Sequence, residues 1–451
     1  MTHVASVRPG QPEDSSGQPE DASGQPGEVS GRPHPASEQA PERAAEPAPG
    51  AGPLSRLRVS AGLAAPAIVV YLTLRVISLQ VMAVLANSAH AKDPGRQVYW
   101  DGSTATWRGF TSVWDALISW DARWYSMLAG SGMGGPIGAA DANGVPYEMR
   151  VMFFPLYPWL ARPLTFLPFV SPEAACLFVS LVAAVAAAWG LFALGNKLHG
   201  SRFGIMLAAL WAVVPAAMTE NGAFSESLFT ALAAWTLYAL LNERWITAGL
   251  LAGVSGLSRP TAAALIGTVG LAALIAAVQR RGGWRPYAAM ALAPLGLAGY
   301  LAYASAKLGG LKEYFDIHQN TFGAYFDYGK SHWEVVTGIM VGVGDDAANP
   351  IRLLSVLFLF GFIALLILAI VNRAPWQLTV FAVATLVLAV GSRAHISMIG
   401  RHLLPAFPVL LVPAAILART SVMKSAIVLG VLALCSGWYA GWLPFISGQA
   451  I

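Results

Sequence analysis

The chain has 451 residues, of which 56% are hydrophobic and only 12% are charged. Its mean hydropathy of +0.56 is too high for a water-soluble domain of this length, so the composition indicates a polytopic membrane protein. The formal net charge of +4 is small and gives no indication of nucleic-acid binding. The two cysteines, Cys176 and Cys435, lie in separate apolar stretches, which argues against a disulfide framework or a metal cluster.

Residues 1–55 are rich in Pro, Gly, Glu, Gln and Ala and contain almost nothing apolar that could be buried. This composition predicts a disordered cytoplasmic tail. The tail does not have the pattern of a secretory signal, so we expect the first membrane helix to be retained. Arg56 and Arg58 precede that helix and favour a cytoplasmic N-terminus. Residues 56–451 are predicted to form one transmembrane domain.

Apolar segments follow the tail almost to the end of the chain. A membrane-crossing helix needs about 20 mostly apolar residues, which predicts an all-α polytopic membrane protein with about 11 transmembrane helices. The predicted segments are 61–85, 173–195, 203–219, 224–241, 245–258, 260–279, 286–306, 351–371, 376–391, 402–418 and 424–443. The break at 258–260 is either a turn between two short helices or a kink in one.

Basic residues orient these segments. With the N-terminus inside, every connection that is predicted to be cytoplasmic contains Lys or Arg, as the positive-inside rule requires. The same orientation places the long loops 86–172 and 307–350 outside the cytoplasm, and we expect the functional site on that face. The second loop is rich in aromatic residues. It covers a substrate, or it forms an amphipathic helix at the membrane surface.

Trp-Asp pairs are repeated along the first long loop, at 100–101, 114–115 and 120–121. A sugar is bound by flat apolar rings that stack on its face and by carboxylates that accept its hydroxyl protons. The repeated pairs offer both groups. The alternative is an aromatic belt at the membrane interface, in which the Asp residues cap helices.

A series of motifs contains the last of these pairs. It runs Trp-Asp-Ala-Arg-Trp-Tyr at 120–125, Phe-Phe-Pro-Leu-Tyr-Pro at 153–158 and Ser-Glu-Ser-Leu-Phe at 225–229. The series resembles that of the PIG-V-like mannosyltransferases, relatives of eukaryotic GPI mannosyltransferase II. The runs at 258–261 and 400–405 stand in the order of two later elements of that family. The resemblance covers most of 61–443 and none of the tail.

The resemblance implies a GT-C-type glycosyltransferase with a large first extracytoplasmic loop. Its relatives transfer mannose from a polyprenyl-phosphate or dolichyl-phosphate donor, with inversion at the anomeric carbon. Inversion needs a base for the attacking hydroxyl, and the motif match identifies Asp121 as that base, with Asp115 in reserve. The residues expected to bind substrate are Trp120, Arg123, Trp124, Tyr125, Tyr157, Glu226, Arg259, Arg401 and His402.

Arg259 and Arg401 fall at predicted extracytoplasmic helix ends, with Arg393 and His395 close to the second. An arginine at membrane depth costs about 2.5–3.5 kcal/mol on insertion scales, so one that is retained usually faces a partner or a cavity. The two arginines either stabilise the charge of a departing lipid phosphate or anchor their helices at the interface. For Arg393 and His395 the anchoring interpretation is favoured.

Glu226 lies two residues into the fourth predicted helix, directly after Ser225. A carboxylate there suits the helix dipole, and Ser225 can accept a backbone N–H bond as a cap. The alternative is that Glu226 faces the substrate, because its helix begins on the same side of the membrane as Asp121.

The predicted partners are a polyprenyl-phosphate sugar donor, a lipid or glycan acceptor and the membrane, with no nucleic acid. The sequence has no Gly-rich phosphate loop and no His-Glu-x-x-His pattern, so no nucleotide cofactor is expected. A divalent metal is compatible with the Asp residues but is not required. The composition is typical of a bacterial plasma-membrane protein. Two alternatives remain open, namely a lipid-linked sugar flippase or transporter and a polymerase or ligase of lipid-linked glycans.

Overall fold

The structure is a computed structural model, and it describes residues 53–92, 99–100, 107–108, 110, 112–141, 144–342, 349–393 and 395–447. Most of the predicted tail, 1–55, lies outside the described residues, and so do Asp101 and the side chain of Trp100. The first helix begins at Pro53, three residues before the predicted start of the transmembrane domain.

The regular elements of the described residues are helices and one short hairpin, in which β1 (Tyr99–Trp100) pairs antiparallel with β2 (Trp107–Arg108). The helices before the fourth predicted segment are α1 (Pro53–Lys92), α2 (Val113–Leu117), α3 (Asp121–Ser131), α4 (Tyr147–Arg150), α5 (Leu156–Ala161), α6 (Pro172–His199) and α7 (Ser201–Trp211). The middle of the chain contains α8 (Glu226–Leu241), α9 (Trp245–Ser255), α10 (Ala262–Val278), α11 (Arg285–Leu292), α12 (Leu295–Leu308), α13 (Leu311–Phe322) and α14 (Lys330–Val341). The last helices are α15 (Pro350–Val371), α16 (Trp376–Gly391), α17 (Ile399–Leu403), α18 (Leu411–Arg419) and α19 (Val422–Trp442).

Shorter 3₁₀ segments join several of these helices. They lie at Arg162–Phe166, Pro215–Glu220, Ile396–Met398 and Phe407–Leu410, and a π-helical turn at Leu443–Ser447 follows α19.

Membrane-crossing length is reached by five helical stretches of the described residues, Ser60–Lys92, Pro172–His199, Arg285–Leu308, Pro350–Val371 and Val422–Ser447. A sixth is added if Ile396–Leu403 and Phe407–Arg419, which meet at a 77° bend, form one broken span. The other apolar helices have 10–17 residues. The prediction of an all-α integral membrane protein is therefore confirmed, whereas the number of about 11 crossings stays a prediction.

Each of the predicted segments nevertheless coincides with a helix or a pair of helices. The break at 258–260 is a turn, because α9 ends at Ser255, α10 begins at Ala262 and the two helices pack against each other. The loop 86–172 folds into the short helices α2 to α5, and α13 and α14 occupy most of the loop 307–350. Both long loops thus contain short helices within their described residues.

Small residues bring the helices of the bundle into close contact. A Cβ atom on Gly195 of α6 would lie 2.6 Å from the Cα atom of Gly204 in α7, and one on Gly437 of α19 would lie 2.5 Å from the carbonyl oxygen of Ser78 in α1. Such contacts bring helices together in a membrane, where lipid tails are as apolar as the side chains. Large apolar side chains, such as Val278 at 75% exposure, point outward.

Two backbone hydrogen bonds tie the folded first loop to the bundle. The amide of Ala223, just before α8, donates to the carbonyl of Leu117 at the end of α2 over 2.9 Å. The amide of Leu156 at the start of α5 donates to the carbonyl of Leu257 after α9, also over 2.9 Å. The beginning of α3, the beginning of α8 and the turn after α9 are therefore held at one end of the bundle.

Candidate active site

Four charged side chains from four separate elements meet at this end of the bundle. Arg401 of α17 is only 4% exposed. Its Nη2 donates to Oδ2 of Asp121 in α3 over 2.6 Å, and its Nε donates to Oε1 of Glu226 in α8. Arg259, in the turn after α9, forms an ion pair with the same Glu226 oxygen. The two arginines and two carboxylates balance each other's charge, as buried charges require. These four residues form the charge cluster.

Glu226 lies at the centre of the charge cluster and its side chain is fully buried. The predicted cap at Ser225 does not form, because the Ser225 backbone is already helical (φ −82°, ψ −1°) and its side chain makes no capping hydrogen bond. Oε2 of Glu226 has no hydrogen-bond partner within the described ranges. Glu226 therefore holds two arginines in place. Its carboxylate is also stabilised by the dipole of α8, because it lies at the N-terminus of that helix.

Asp121 is the accessible carboxylate of the charge cluster, with 41% of its side chain exposed. Oδ2 accepts a hydrogen bond from Arg401. Oδ1 makes no hydrogen bond with any residue that the structure describes. The preceding residue, Trp120, has a φ of 56° and a ψ of −127°, a backbone conformation that a bulky residue rarely adopts. Strained backbone of this kind is concentrated at functional sites, and here it sets the direction in which α3 begins.

Aromatic rings form a wall beside Asp121. Trp124 stacks on Phe153 with ring centroids 5.3 Å apart, and Tyr125 meets the edges of Phe153 and Tyr157 at 5.5 and 4.9 Å. The Tyr125 hydroxyl lies 3.0 Å from the Ser225 hydroxyl. Burial raises the pKa of Tyr125 to about 12, so its hydroxyl keeps its proton and remains a hydrogen-bond donor at neutral pH.

The other predicted site residues lie around this wall in different settings. Tyr157 is fully buried, and its hydroxyl donates to the carbonyl of Cys176 over 2.7 Å. Trp120 is 8% exposed and packs against Phe110. Arg123 points to the surface, and His402 is half-buried next to Arg401 in sequence. The roles of these residues stay predictions.

Asp115 is held at the start of α2. Its backbone N–H donates to the Ser112 hydroxyl over 3.2 Å, and its carboxylate accepts the Ser112 N–H over 3.0 Å. This reciprocal pair is a capping box. For Asp115, the structure thus agrees with the alternative interpretation, in which the Asp residues of the Trp-Asp pairs cap helices.

The sequence analysis missed a second buried polar group. The Tyr71 hydroxyl donates to Oε2 of Glu220 over 2.8 Å, and Arg75 lies 3.8 Å from the same oxygen. Arg75 also donates to the carbonyl of Ala212 over 2.8 Å. The sequence does indicate Arg75 as a candidate, because it is a charged residue inside the first predicted membrane segment. Such residues are functional candidates by default.

Phe224 was also missed. The Arg401 guanidinium carbon lies 4.6 Å from the centre of its ring, a cation–π contact with a buried side chain. Nothing in the sequence distinguishes Phe224 from other apolar residues. As for metals, the structure brings no three His, Cys, Asp or Glu side chains together as a binding group in the ranges it covers.

Comparison with known proteins gives one family match. Residues 154–304, a third of the chain, match the family model of the dolichyl-phosphate-mannose-protein mannosyltransferases. The matched range contains Glu226 and Arg259 but ends before Arg401 and begins after Asp121. No curated protein sequence matches the chain.

Among solved structures, the chain is similar to the crystal structure of ArnT from Cupriavidus metallidurans bound to undecaprenyl phosphate. The similarity covers 81% of this chain and 63% of that chain, at 15% sequence identity and a TM-score of 0.47. The chain thus spans less than two thirds of the length of that protein.

The family match and the membrane-helical architecture together support the predicted class, a GT-C glycosyltransferase of the membrane. They do not confirm the PIG-V-like family in particular, which stays a prediction.

Proposed function

We propose that the protein is an inverting glycosyltransferase, which transfers mannose from a polyprenyl-phosphate-linked donor to an extracytoplasmic acceptor. The observation that carries the proposal is the half-exposed carboxylate of Asp121 held by the buried guanidinium of Arg401. A carboxylate in this setting is fixed in direction by the arginine and open to a substrate through Oδ1. These are the properties that a general base needs.

The reaction begins with the acceptor hydroxyl at Oδ1 of Asp121. Asp121 takes the hydroxyl proton while the oxygen attacks the anomeric carbon of the donor sugar. The bond from that carbon to the phosphate oxygen breaks, and the polyprenyl phosphate leaves with the electron pair. Attack from the face opposite to the phosphate inverts the anomeric carbon.

The charge cluster supports this step electrostatically. Before the reaction, Asp121 and Glu226 neutralise Arg401 and Arg259. When Asp121 accepts the proton, its negative charge disappears and the cluster becomes net positive. The positive charge therefore appears at the moment when negative charge grows on the departing phosphate, and preorganised charge of this kind is an effective form of catalysis. Arg259, with 12% of its side chain exposed, is the better placed arginine to contact the phosphate.

The aromatic wall supports a sugar ligand. Trp124 is partly exposed, and it stacks on Phe153 beside the charge cluster. A flat indole surface next to a carboxylate can hold the apolar face of a pyranose while the carboxylate binds a hydroxyl group.

The test is transfer of radiolabelled mannose from polyprenyl-phosphate mannose in membranes that contain the full chain. We expect Asp121→Asn to lower the transfer rate by about 10²–10⁴-fold, because removing a general base typically costs this much. Asp115→Asn is the matched control, since it changes the Trp-Asp pair at 114–115, whose carboxylate caps α2, and should leave most of the activity. Near-normal transfer by correctly inserted Asp121→Asn protein would exclude Asp121 as the base.

A second candidate, a flippase for the lipid-linked sugar, is favoured by one observation, the 77° bend between Ile396–Leu403 and Phe407–Arg419. Broken helices of this kind are common in transporters. If the membranes give no labelled product but move the donor across the bilayer faster than membranes without the chain, the flippase is the correct function.

A further inference from the structure

The end of the first long loop, between α5 and α6, exposes several large apolar side chains. Phe169 is fully exposed, and the others are 46–75% exposed. The stretch 163–170 contains no charged residue. Exposed apolar side chains that lie together mark a contact with another apolar surface. The apolar tip consists of Trp159, Leu160, Phe166, Leu167 and Phe169.

Another exposed stretch of the same loop has a different composition. Residues 134–140 are also exposed, but apart from Ile137 they are Gly, Ala and Pro. Small residues present little apolar surface, which suits a stretch in water. The large side chains of the apolar tip are therefore a property of one end of the loop and not of the whole loop.

Phe169 stands at a backbone position that suits glycine better. The amide of Val170 donates to the carbonyl of Leu167 over 3.3 Å and closes a turn, within which Phe169 has a φ of 67°. This left-handed conformation is rare for a bulky residue, whereas glycine adopts it readily. The turn does not need the ring, and the protein does not bury it. A ring at such a position indicates an apolar surface outside the protein that covers it.

The membrane is the apolar surface within reach. Helix α6 is long enough to cross the membrane and begins at Pro172, directly after this turn. Its outward side chains Phe178, Leu181 and Val182 are also large and apolar. The exposed apolar surface of α6 thus continues along the chain into the apolar tip. At the other end of the turn, the Arg162 guanidinium carbon lies 5.8 Å from the centre of a ring of the tip, and basic residues beside aromatic ones are typical of a membrane interface.

We propose that the apolar tip inserts into the membrane and anchors the end of the first loop there. The partner is the acyl chains of the lipid bilayer. The positive-inside orientation alone places all of 86–172 outside the membrane, so the proposal moves one end of this loop into the lipid. The inference rests on exposure, backbone conformation and the position next to α6, and it does not depend on the reaction proposed for Asp121.

The anchor also fixes the position of α3 relative to the membrane. The Arg162 guanidinium donates to the carbonyls of Ala129 and Gly130, near the end of α3, over 3.4 Å in each case. Asp121 is the first residue of the same helix. Insertion of the apolar tip therefore holds α3 close to the lipid surface.

The test measures membrane depth with a nitroxide spin label on Leu167→Cys. The full chain, with Cys435 replaced by Ser, is reconstituted into liposomes, and the buried Cys176 gives little background. Collisions of the label with oxygen, which concentrates in hydrocarbon, are compared with collisions with a water-soluble nickel complex. We expect the label at 167 to meet oxygen and to be protected from nickel. A label on Gly134→Cys should show the opposite preference.

Substitution of Phe169 in the chain labelled at 167 tests the anchor itself. Phe169→Asp places a charge in the tip, and a charge in hydrocarbon is unfavourable, so we expect loss of the protection from nickel. Phe169→Trp keeps an aromatic ring suited to the interface and should keep the protection. Gly134→Asp is the matched control, because a Cβ atom there meets no atom within 4 Å, and it should leave the label unchanged.

The proposal is overturned if the label at 167 collides with nickel as freely as the label at 134. It is also overturned if the label at 167 is shielded from both reagents, and dipolar broadening between labels would then assign the tip to a contact between two copies of the chain. Protection that survives Phe169→Asp would contradict the anchor as well. These measurements need no mannose transfer, so their outcome is separate from that of the Asp121→Asn test.

Discussion

Glu226 is the residue on which the charge cluster depends. It is the buried partner shared by Arg259 and Arg401, whereas Asp121 forms an ion pair with Arg401 and remains partly exposed. A buried ion pair adds little stability over an apolar replacement, but removal of one partner leaves an uncompensated buried charge. The two carboxylates of the cluster should therefore respond differently to the same amide substitution.

We expect Glu226→Gln to lower the free energy of unfolding by about 3–5 kcal/mol, the usual effect of leaving buried charges unpaired. Thermal denaturation of the purified protein in detergent measures the change. Asp121→Asn is the control, with an expected loss below about 1 kcal/mol because exposed ion pairs contribute little. Equal stabilities of the two variants would contradict the central role of Glu226.

At the scale of elements, α9 determines where Arg259 stands. Two glycines four residues apart, Gly249 and Gly253, face α11 and its junction with α12. A Cβ atom on Gly253 would lie 2.7 Å from the carbonyl oxygen of Leu292. This close contact fixes the end of α9, and the turn that follows carries Arg259 into the charge cluster.

Gly253→Ala should force α9 away from α11 and destabilise the protein by about 1–3 kcal/mol, the usual cost of overpacking. We also expect a lower transfer rate, because Arg259 moves with the helix end. Gly299→Ala in α12 is the control, since a Cβ atom there meets no atom within 4 Å. Thermal denaturation and the mannose-transfer assay measure both effects, and a Gly253→Ala protein as stable and active as the control would contradict this account of α9.

At the scale of the whole molecule, function depends on which face of the membrane carries the charge cluster. The orientation rests on the positive-inside rule, and a cysteine placed on each side can test it. Gly134 is exposed, and a Cβ atom there meets no atom within 4 Å. Ser201 is exposed in a connection that is predicted to be cytoplasmic.

In a chain with Cys435 replaced by Ser, Gly134→Cys should react with an impermeant thiol reagent in intact cells. Ser201→Cys should react only after lysis. Cys176 is buried and gives little background. The reverse labelling pattern would place the candidate active site in the cytoplasm and would contradict the proposed extracytoplasmic reaction.

The sequence alone predicted the class of protein and the positions of its apolar helices, because hydropathy is a local property that adds up along a segment. It also indicated Asp121, Glu226, Arg259 and Arg401 as candidates, since each is a charged residue at the end of an apolar stretch or in a recognisable motif. The family-model match covers only two of these four residues.

Only the tertiary structure decided how these residues are used. Arg401 and Asp121 are 280 positions apart, and no local pattern predicts that one arginine binds both carboxylates. The cap expected at Ser225 does not form, and its absence also depends on a distant residue. The backbone of Ser225 is helical, and its hydroxyl lies beside Tyr125, 100 positions earlier. Hydropathy determines which segments enter the membrane, whereas the partner of a buried charge is determined by how those segments pack.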